Sequence, residues 1–128
     1  MALLKLGMVG GGQSAFIGGV HRMAARLDGC FDLVAGAFSS DPARAHASAA
    51  DLGIDADRSY ADFNEMAKFE AARSDGIDAV AIVTPNHLHG PIAEAFLAHD
   101  ISVICDKPMT ATLAQAESLM AAAQASKG

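Results

Sequence analysis

Three consecutive glycines, Gly10 to Gly12, separate an apolar run at residues 3–9 from a segment with the apolar spacing of a helix. Glycine is needed where a strand turns sharply into a helix and where the backbone must approach another group closely. The free N–H groups at the start of that helix attract an anion. In this context the Gly10-x-Gly12 pattern favours the pyrophosphate of a dinucleotide over a tight turn without a ligand.

The third small residue of the glycine loop has two candidates. The usual spacing selects Ala15 as the point of close packing, whereas Gly18 is the better first residue for a helix. We favour Gly18, which lengthens the loop to include Gln13 and directs the backbone N–H groups of Phe16 and Ile17 toward the phosphates. The two apolar side chains would then cover the cofactor or a partner, or Phe16 would pack beneath the loop.

The end of the predicted second strand bears on which dinucleotide binds. An acid there would bind the ribose hydroxyls of NAD, but Asp32 lies at the beginning of that strand, at the wrong edge of the sheet. Its end has Ser39 and Ser40, with Arg44 one turn into the next helix. Hydroxyls and a cation suit a 2′-phosphate, so we favour NADP over NAD. Two alternatives stay open: Asp41 bends back to the ribose, or Arg44 only faces solvent.

Polar residues follow the apolar strand predicted at residues 78–84. Thr84 and Pro85 end this strand, and the amide of Asn86 can both donate and accept hydrogen bonds toward a ribose or carboxamide. Two histidines come next. A histidine in a loop is more often structural, and of the two we favour His89 over His87 as a site residue.

A charged pair follows the strand predicted at residues 101–105. Asp106 and Lys107 precede Pro108, which ends the strand. A lysine at the carboxyl end of a strand can donate a proton to a substrate oxygen or polarise it. An Asp-Lys pair alone is also typical of an ordinary surface, but its position beside the other loops favours Lys107 as a catalytic residue.

The elements that must position these loops alternate between strand and helix. We expect strands over residues 3–9, 31–38, 58–60, 78–84 and 101–105, and helices over 18–27, 42–52, 62–73 and from 90 and 112 onward. Val20 and Leu27 should lie on the buried face of the first helix, and Leu113 and Met120 on that of the last. Nearly continuous apolar strands indicate a doubly wound parallel sheet with helices on both faces, an α/β Rossmann fold of about five strands in a single domain. Ligands bind such sheets at the carboxyl ends of the strands.

Composition excludes several classes of protein. The net charge is −6 and neither sign forms a long run, so nucleic acid is not an expected partner. The apolar stretches are far shorter than the roughly 18 residues of a membrane span. Two cysteines, Cys30 and Cys105, are too few for a disulfide framework. With no secretory signal at the N-terminus, we expect a cytoplasmic protein, and no His, Asp or Glu set has the spacing of a metal site.

Four motifs together resemble the N-terminal domain of the glucose–fructose oxidoreductase, inositol dehydrogenase and MocA family (Gfo/Idh/MocA). They are Gly10-x-Gly12, Gly18-x-x-His21-x-x-Ala24, Thr84-Pro85-Asn86-His87-Leu88-His89 and Asp106-Lys107-Pro108. The resemblance covers the whole chain. It implies NAD(P) binding and hydride transfer to or from a sugar, cyclitol or related polyol, with Lys107 assisting proton transfer and with Asn86 and His89 beside the nicotinamide.

The sequence departs from the family pattern at two points. The usual glutamate before the lysine is Asp106, which is one methylene shorter, and the glycine loop is longer than the minimal pattern. The family's C-terminal domain, which carries substrate recognition and most oligomer contacts, is expected to be missing from this chain. The resemblance implies a homo-oligomer for the full-length protein and an inactive domain in isolation.

Two other functions remain open. One is a non-catalytic sensor or interaction module that binds a dinucleotide and presents Phe16 and Ile17 to a partner. The other is a methyltransferase that uses S-adenosylmethionine, although Ser39 and Ser40 stand where such an enzyme normally has an acid.

Overall fold

A computed structural model describes residues 2–128 as four strands and five α-helices in alternation. The strands are β1 (Leu4–Gly10), β2 (Phe31–Ala37), β3 (Ala79–Val83) and β4 (Ser102–Cys105). The helices are α1 (Phe16–Leu27), α2 (Pro42–Asp51), α3 (Phe63–Ala72), α4 (His89–Leu97) and α5 (Leu113–Ala125). Two short 3₁₀ turns cover Ala56–Arg58 and Asn86–Leu88.

The four strands form one parallel sheet in the order β2-β1-β3-β4. Apolar side chains cover both of its faces, because α1 and α2 pack on one face and α3, α4 and α5 pack on the other. All five residues of β3 are buried, as its unbroken apolar run predicts. The predicted doubly wound α/β Rossmann fold is confirmed, and its switch point lies between β1 and β3, where chain order reverses.

The short edge strand predicted at residues 58–60 is reduced to a single parallel bridge between Ser59 and Gly36. The chain reaches this bridge through a 3₁₀ turn. Arg58 is buried there because its guanidinium donates to the carboxylate of Glu70 on α3. This side-chain pair, rather than a ladder of backbone hydrogen bonds, joins the segment to the domain.

Two helices bury a different face from the one predicted. In α1, Leu27 is 79% exposed, and the residues packed on the sheet are Ile17, Gly18 and Ala25. In α5, Leu113 is 75% exposed and Leu119 is the buried residue. The small residues Gly18 and Ala25 bring α1 close to the sheet, and Leu27 at the end of the helix lies outside the contact.

Side chains cap three of the helices at their first turns. The carboxylates of Asp41 and Asp62 accept from backbone N–H groups of α2 and α3, and the hydroxyl of Thr112 accepts from Gln115 in α5, as its sequence pattern predicts. Among the helices of residues 2–128, none is long and apolar enough to cross a membrane.

Candidate functional site

The glycine loop between β1 and α1 is packed so tightly that side chains would not fit. Gly10 and Gly11 have φ angles of +81° and +73°, which glycine adopts without strain. A Cβ atom on Gly18 would lie 2.4 Å from the Cα atom of Gly11. Gly18 is therefore the residue of close helix–loop packing, whereas Ala15 is exposed.

Gly12 brings the loop against the end of β2 and against α2. A Cβ atom there would lie 2.8 Å from both the carbonyl oxygen of Phe38 and the hydroxyl of Ser48. The same hydroxyl accepts a hydrogen bond of 3.0 Å from the backbone N–H of Gln13. Ser48 thus fixes the loop from below, although we did not predict it as a site residue. The sequence feature that could have indicated Ser48 is a polar residue that lies with Ala45 and Ala49 on the buried face of α2.

The helix that follows the loop begins with its backbone N–H groups available. Within residues 2–128, no side chain caps the N-terminus of α1, and its first turn has no acid. The N-cap residue is Ala15, and α1 begins at Phe16, two residues earlier than predicted. Uncapped N–H groups at the start of a helix whose first turn contains no acid can bind an anion.

Two side chains of the loop region point in different directions. Phe16 is 84% exposed, so it does not pack beneath the loop. Ile17 packs against the core cluster formed by α1, α2 and the sheet. Of the two apolar residues, Phe16 alone presents a full side chain to a ligand or partner.

Arg22 supports the loop from inside α1, a role that the sequence did not reveal. Its Nη1 atom donates to the carbonyl oxygen of Gly11 at 2.7 Å and lies 3.5 Å from the sulfur of Met8. Burial lowers the pKa of Arg22, and the charge of Arg26 adds to this effect. The guanidinium gives the glycine loop a positive charge despite the acidic balance of the chain.

A cavity of about 410 Å³ lies between the loop and α2. Cofactor-binding clefts are typically several hundred Å³ in volume. Residues of the loop line one wall, and Ser48, Asp51 and Leu52 line the other. Asp51 accepts a hydrogen bond of 2.6 Å from the side chain of Gln13. None of the described lining residues comes from the loops after β3 and β4.

The end of β2 contains the predicted hydroxyls and cation. Ser40 and Arg44 are exposed, and the hydroxyl of Ser39 accepts from the backbone N–H of Asp41. One carboxylate oxygen of Asp41 caps α2 through the N–H of Arg44 at 2.9 Å. Asp32 pairs in register with Lys5 near the opposite edge of the sheet, as predicted from its position in the strand.

The loop after β3 divides into exposed and buried residues. Pro85, Asn86 and His87 are exposed, whereas His89 is only 1% exposed. The Nε2 atom of His89 lies 2.9 Å from the carbonyl oxygen of Thr84, and Nδ1 lies 2.6 Å from that of Pro108. Backbone carbonyls thus engage both ring nitrogens of His89, and its place beside a nicotinamide stays a prediction from the sequence.

The loop after β4 presents Lys107 to solvent. Its neighbour Asp106 continues the sheet ladder by donating its backbone N–H to Ile82 at 3.1 Å. A carboxylate oxygen of Asp106 lies 3.5 Å from Nε2 of His21 on α1. The thiol of Cys105 donates to the carbonyl oxygen of Asp106, and burial raises the pKa of this thiol, with the Asp106 charge as a second cause.

All four loops at the carboxyl edge of the sheet are in contact. A Cβ atom on Gly10 would touch Thr84, and one on Gly12 would touch Phe38. His21 and His89 reach the 106–108 segment from α1 and α4. The structure therefore brings the glycine loop, the uncapped start of α1, a polar edge and an exposed lysine together around the switch point.

The sequence of residues 4–128 matches the Gfo/Idh/MocA group, an oxidoreductase family with an NAD-binding Rossmann fold. The chain belongs to this family. The resemblance read from the motifs is thus confirmed.

Individual relatives support this assignment. A crystal structure of an oxidoreductase from Sinorhizobium meliloti has 55% sequence identity and a TM-score of 0.95, covering 100% of this chain and 35% of that one. An inositol dehydrogenase homologue from Azotobacter vinelandii, solved with NAD⁺ and with NADH and myo-inositol, has 44% identity and a TM-score of 0.92 over 96% of this chain and 32% of its own.

A curated relative, the uncharacterized oxidoreductase YfiI of Bacillus subtilis, is 41% identical over 122 residues, which are 94% of this chain and 31% of YfiI. The chain therefore spans about a third of the length of the Gfo/Idh/MocA relatives that it matches.

Proposed function

We propose that this chain is the cofactor-binding part of an oxidoreductase that transfers hydride to or from a sugar, cyclitol or related polyol. The observation that carries the proposal is the contact between Gly11 and Gly18 at the uncapped start of α1, beside a loop that exposes Lys107. In this arrangement the backbone N–H groups would hold a pyrophosphate, and Lys107 would act as a proton donor at the same edge of the sheet.

The residues present fit the dinucleotide. Gly10, Gly12 and Gly18, where a side chain would clash, would let the backbone approach the phosphates, and the N–H groups of Phe16 and Ile17 in the uncapped first turn of α1 would donate to them. Thr84, Pro85 and Asn86 would border the nicotinamide half, together with Asp106 and Pro108. The nicotinamide ring supplies the hydride acceptor or donor.

Lys107 is the proposed catalytic residue of this part of the site. Its ammonium group would donate a proton to a carbonyl oxygen as hydride arrives at carbon, or hold the hydroxyl oxygen of the reduced substrate in the reverse direction. The polyol class follows from family membership and from the myo-inositol complex of the Azotobacter vinelandii homologue. The remainder of the substrate site would correspond to parts of the relatives outside the third of their length that this chain spans.

For the dinucleotide itself we propose NADP in preference to NAD. The exposed Arg44 and Ser40 offer a cation and a hydroxyl to a 2′-phosphate at the end of β2. The nearest acid, Asp41, is already engaged as the cap of α2. An aspartate that is free to accept from both ribose hydroxyls would favour NAD instead.

Fluorescence titration of the chain with NADPH and with NADH tests the proposed function. Saturable binding of both, tighter for NADPH, is the expected result. Absence of binding by either at millimolar concentration would contradict it, and calorimetry with S-adenosylmethionine would show whether the glycine loop serves a methyltransferase. The chain alone should not turn over any polyol, and steady hydride transfer by residues 1–128 would overturn that expectation.

The exposure of Phe16 favours a second candidate, a dinucleotide-responsive interaction module without catalysis. Replacing Lys107 with Ala in the full-length protein separates the two functions. An enzyme should lose turnover while it retains the cofactor, whereas an interaction module should change little.

A further inference from the structure

Both chain neighbours of Lys107 are held by a histidine. The carboxylate of Asp106 lies 3.5 Å from Nε2 of His21, and the carbonyl oxygen of Pro108 lies 2.6 Å from Nδ1 of His89. His21 belongs to α1 and His89 to α4, and these two helices pack on opposite faces of the sheet. A segment without regular secondary structure is thereby fixed at two positions that flank an exposed lysine.

The contact made by His89 joins two loops of the site. Its second nitrogen, Nε2, lies 2.9 Å from the carbonyl oxygen of Thr84 at the end of β3. Because carbonyl oxygens only accept, a neutral ring donates to one of them and an imidazolium donates to both. The ring is 1% exposed, so its geometry is set by the packing of the protein rather than by solvent.

The contact made by His21 joins the phosphate site to the lysine loop. His21 lies one turn beyond Gly18 on α1, and its side chain is 22% exposed. The first turn of the same helix provides the uncapped N–H groups of the glycine loop. One rigid helix therefore relates the phosphate-binding backbone at its start to Asp106, the residue before Lys107.

We infer that His21 and His89 are positioning residues for Lys107. His89 holds the backbone carbonyl of Pro108, and His21 holds the side chain of Asp106, so that α4 and α1 together set the position of the lysine relative to the cofactor. Such fixing matters because a misplacement of about 1 Å can reduce catalysis on the order of 100-fold. The inference rests on the proposed function, in which Lys107 works beside the nicotinamide.

The test observes Lys107 itself through its NMR signal. The chain has four lysines, Lys5, Lys68, Lys107 and Lys127, and reductive methylation with ¹³C-formaldehyde labels each while retaining its charge. A Lys107→Arg variant assigns the Lys107 signal in the NMR spectrum. In the wild-type chain, saturation with NADH should shift this signal more than those of the other three lysines.

In His21→Ala the NADH-induced shift of the Lys107 signal should fall by roughly half or more, because the lysine samples more positions. The dissociation constant for NADH should change by less than about threefold, since the glycine loop is intact. His21→Gln keeps a hydrogen-bond donor where Nε2 lies and should restore the NADH-induced shift of the Lys107 signal. For the same reason, this shift should be larger in His89→Asn than in His89→Ala. His99→Ala, which replaces an exposed histidine beyond α4, is the matched control.

The outcomes distinguish the inference from the proposed function. A wild-type chain that binds no NADH, or whose Lys107 signal does not respond at saturation, overturns both. If the Lys107 signal responds to NADH equally in the wild type and in His21→Ala, only the positioning role is overturned. If His89→Ala does not fold, as thermal unfolding would show, the two His21 variants decide the question.

Discussion

A Cβ atom on Gly18 would lie 2.4 Å from the Cα atom of Gly11 and 2.8 Å from its carbonyl oxygen. No side chain of an L-amino acid fits between α1 and the loop at this point. The relationship ties the start of the helix to the turn after β1, and the proposed phosphate site depends on both. The neighbouring Gly19 has no such contact, since its nearest atom would be the end of the Arg22 side chain at 3.8 Å.

Gly18→Ala should therefore push the loop away from α1. Overpacking of a tight contact costs about 1–3 kcal/mol, and the same displacement should weaken NADH binding by roughly tenfold or more. Gly19→Ala is the matched control and should be neutral or slightly stabilising, because alanine favours a helix interior over glycine. Thermal unfolding and NADH titration of the two variants measure both effects. Equal NADH affinities of Gly18→Ala and Gly19→Ala would show that the close contact has no role in binding.

The choice of NADP over NAD predicts a selective effect of Arg44→Ala. Loss of a charge-assisted hydrogen bond to a 2′-phosphate costs about 1.5–3 kcal/mol, so NADPH affinity should fall by roughly 10- to 100-fold while NADH affinity stays constant. Arg26→Ala removes an exposed cation from the last turn of α1 and serves as control. If Arg44→Ala weakens neither dinucleotide, Arg44 only faces solvent.

The buried carboxylate of Glu70 predicts a large stability effect away from the site. Glu70 is 1% exposed and accepts from Arg58 at 3.1 Å and from the hydroxyl of Tyr60 at 2.9 Å. Burial raises the pKa of Tyr60, and the hydrogen bond to Glu70 raises it further. Glu70→Gln should lower the free energy of unfolding by about 3–5 kcal/mol, because the buried Arg58 loses its buried partner charge and keeps only the exposed carboxylate of Asp75 at 3.7 Å.

The control for Glu70 is Asp57→Asn, which removes an exposed partner of Arg73 at 3.3 Å. Exposed pairs contribute little, so the urea unfolding midpoint of this variant should match the wild type. A small effect of Glu70→Gln would mean that the segment carrying Arg58 is held by apolar packing alone.

The two cysteines should differ in reactivity. Cys30 is exposed, whereas burial and the Asp106 charge raise the pKa of Cys105. Since the thiolate is the reactive form, a raised pKa leaves less of it at neutral pH, and alkylation of Cys105 should be slow and accelerate as the pH increases. Mass spectrometry after iodoacetamide treatment at several pH values measures this. Asp106→Asn should speed the alkylation of Cys105 and leave that of Cys30 unchanged. Faster alkylation of Cys105 than of Cys30 in the wild-type chain would contradict these environments.

The sequence was sufficient to predict the fold class and the edge at which the site forms. Apolar runs such as β3 indicate a sheet covered on both faces, and polar residues that follow each run must then lie at one edge. The glycines of the loop, Lys107 and the end of β2 could be located in this way, because each depends on its own short stretch of sequence.

Contacts between distant segments could not be predicted in this way. His89 and Pro108 are 19 residues apart, and Gln13 and Ser48 are 35 apart. Whether His89 faces a ligand or the backbone of a second loop depends on how those segments pack. The buried face of α1 was missed for a related reason, since Gly18 and Ala25 pack closely while the larger Leu27 is exposed.

The most direct test of the central claim is an amide ¹H–¹⁵N spectrum of the chain during titration with NADH. A dinucleotide held by the glycine loop should cause the largest shifts at the N–H groups of Gly12, Phe16, Ile17 and Gly18. Residues at the opposite edge of the sheet, such as Lys5 and Asp32, should remain unchanged. Saturation without shifts in the loop, or shifts confined to the opposite edge, would contradict the proposal that this domain binds NAD(P) at the start of α1.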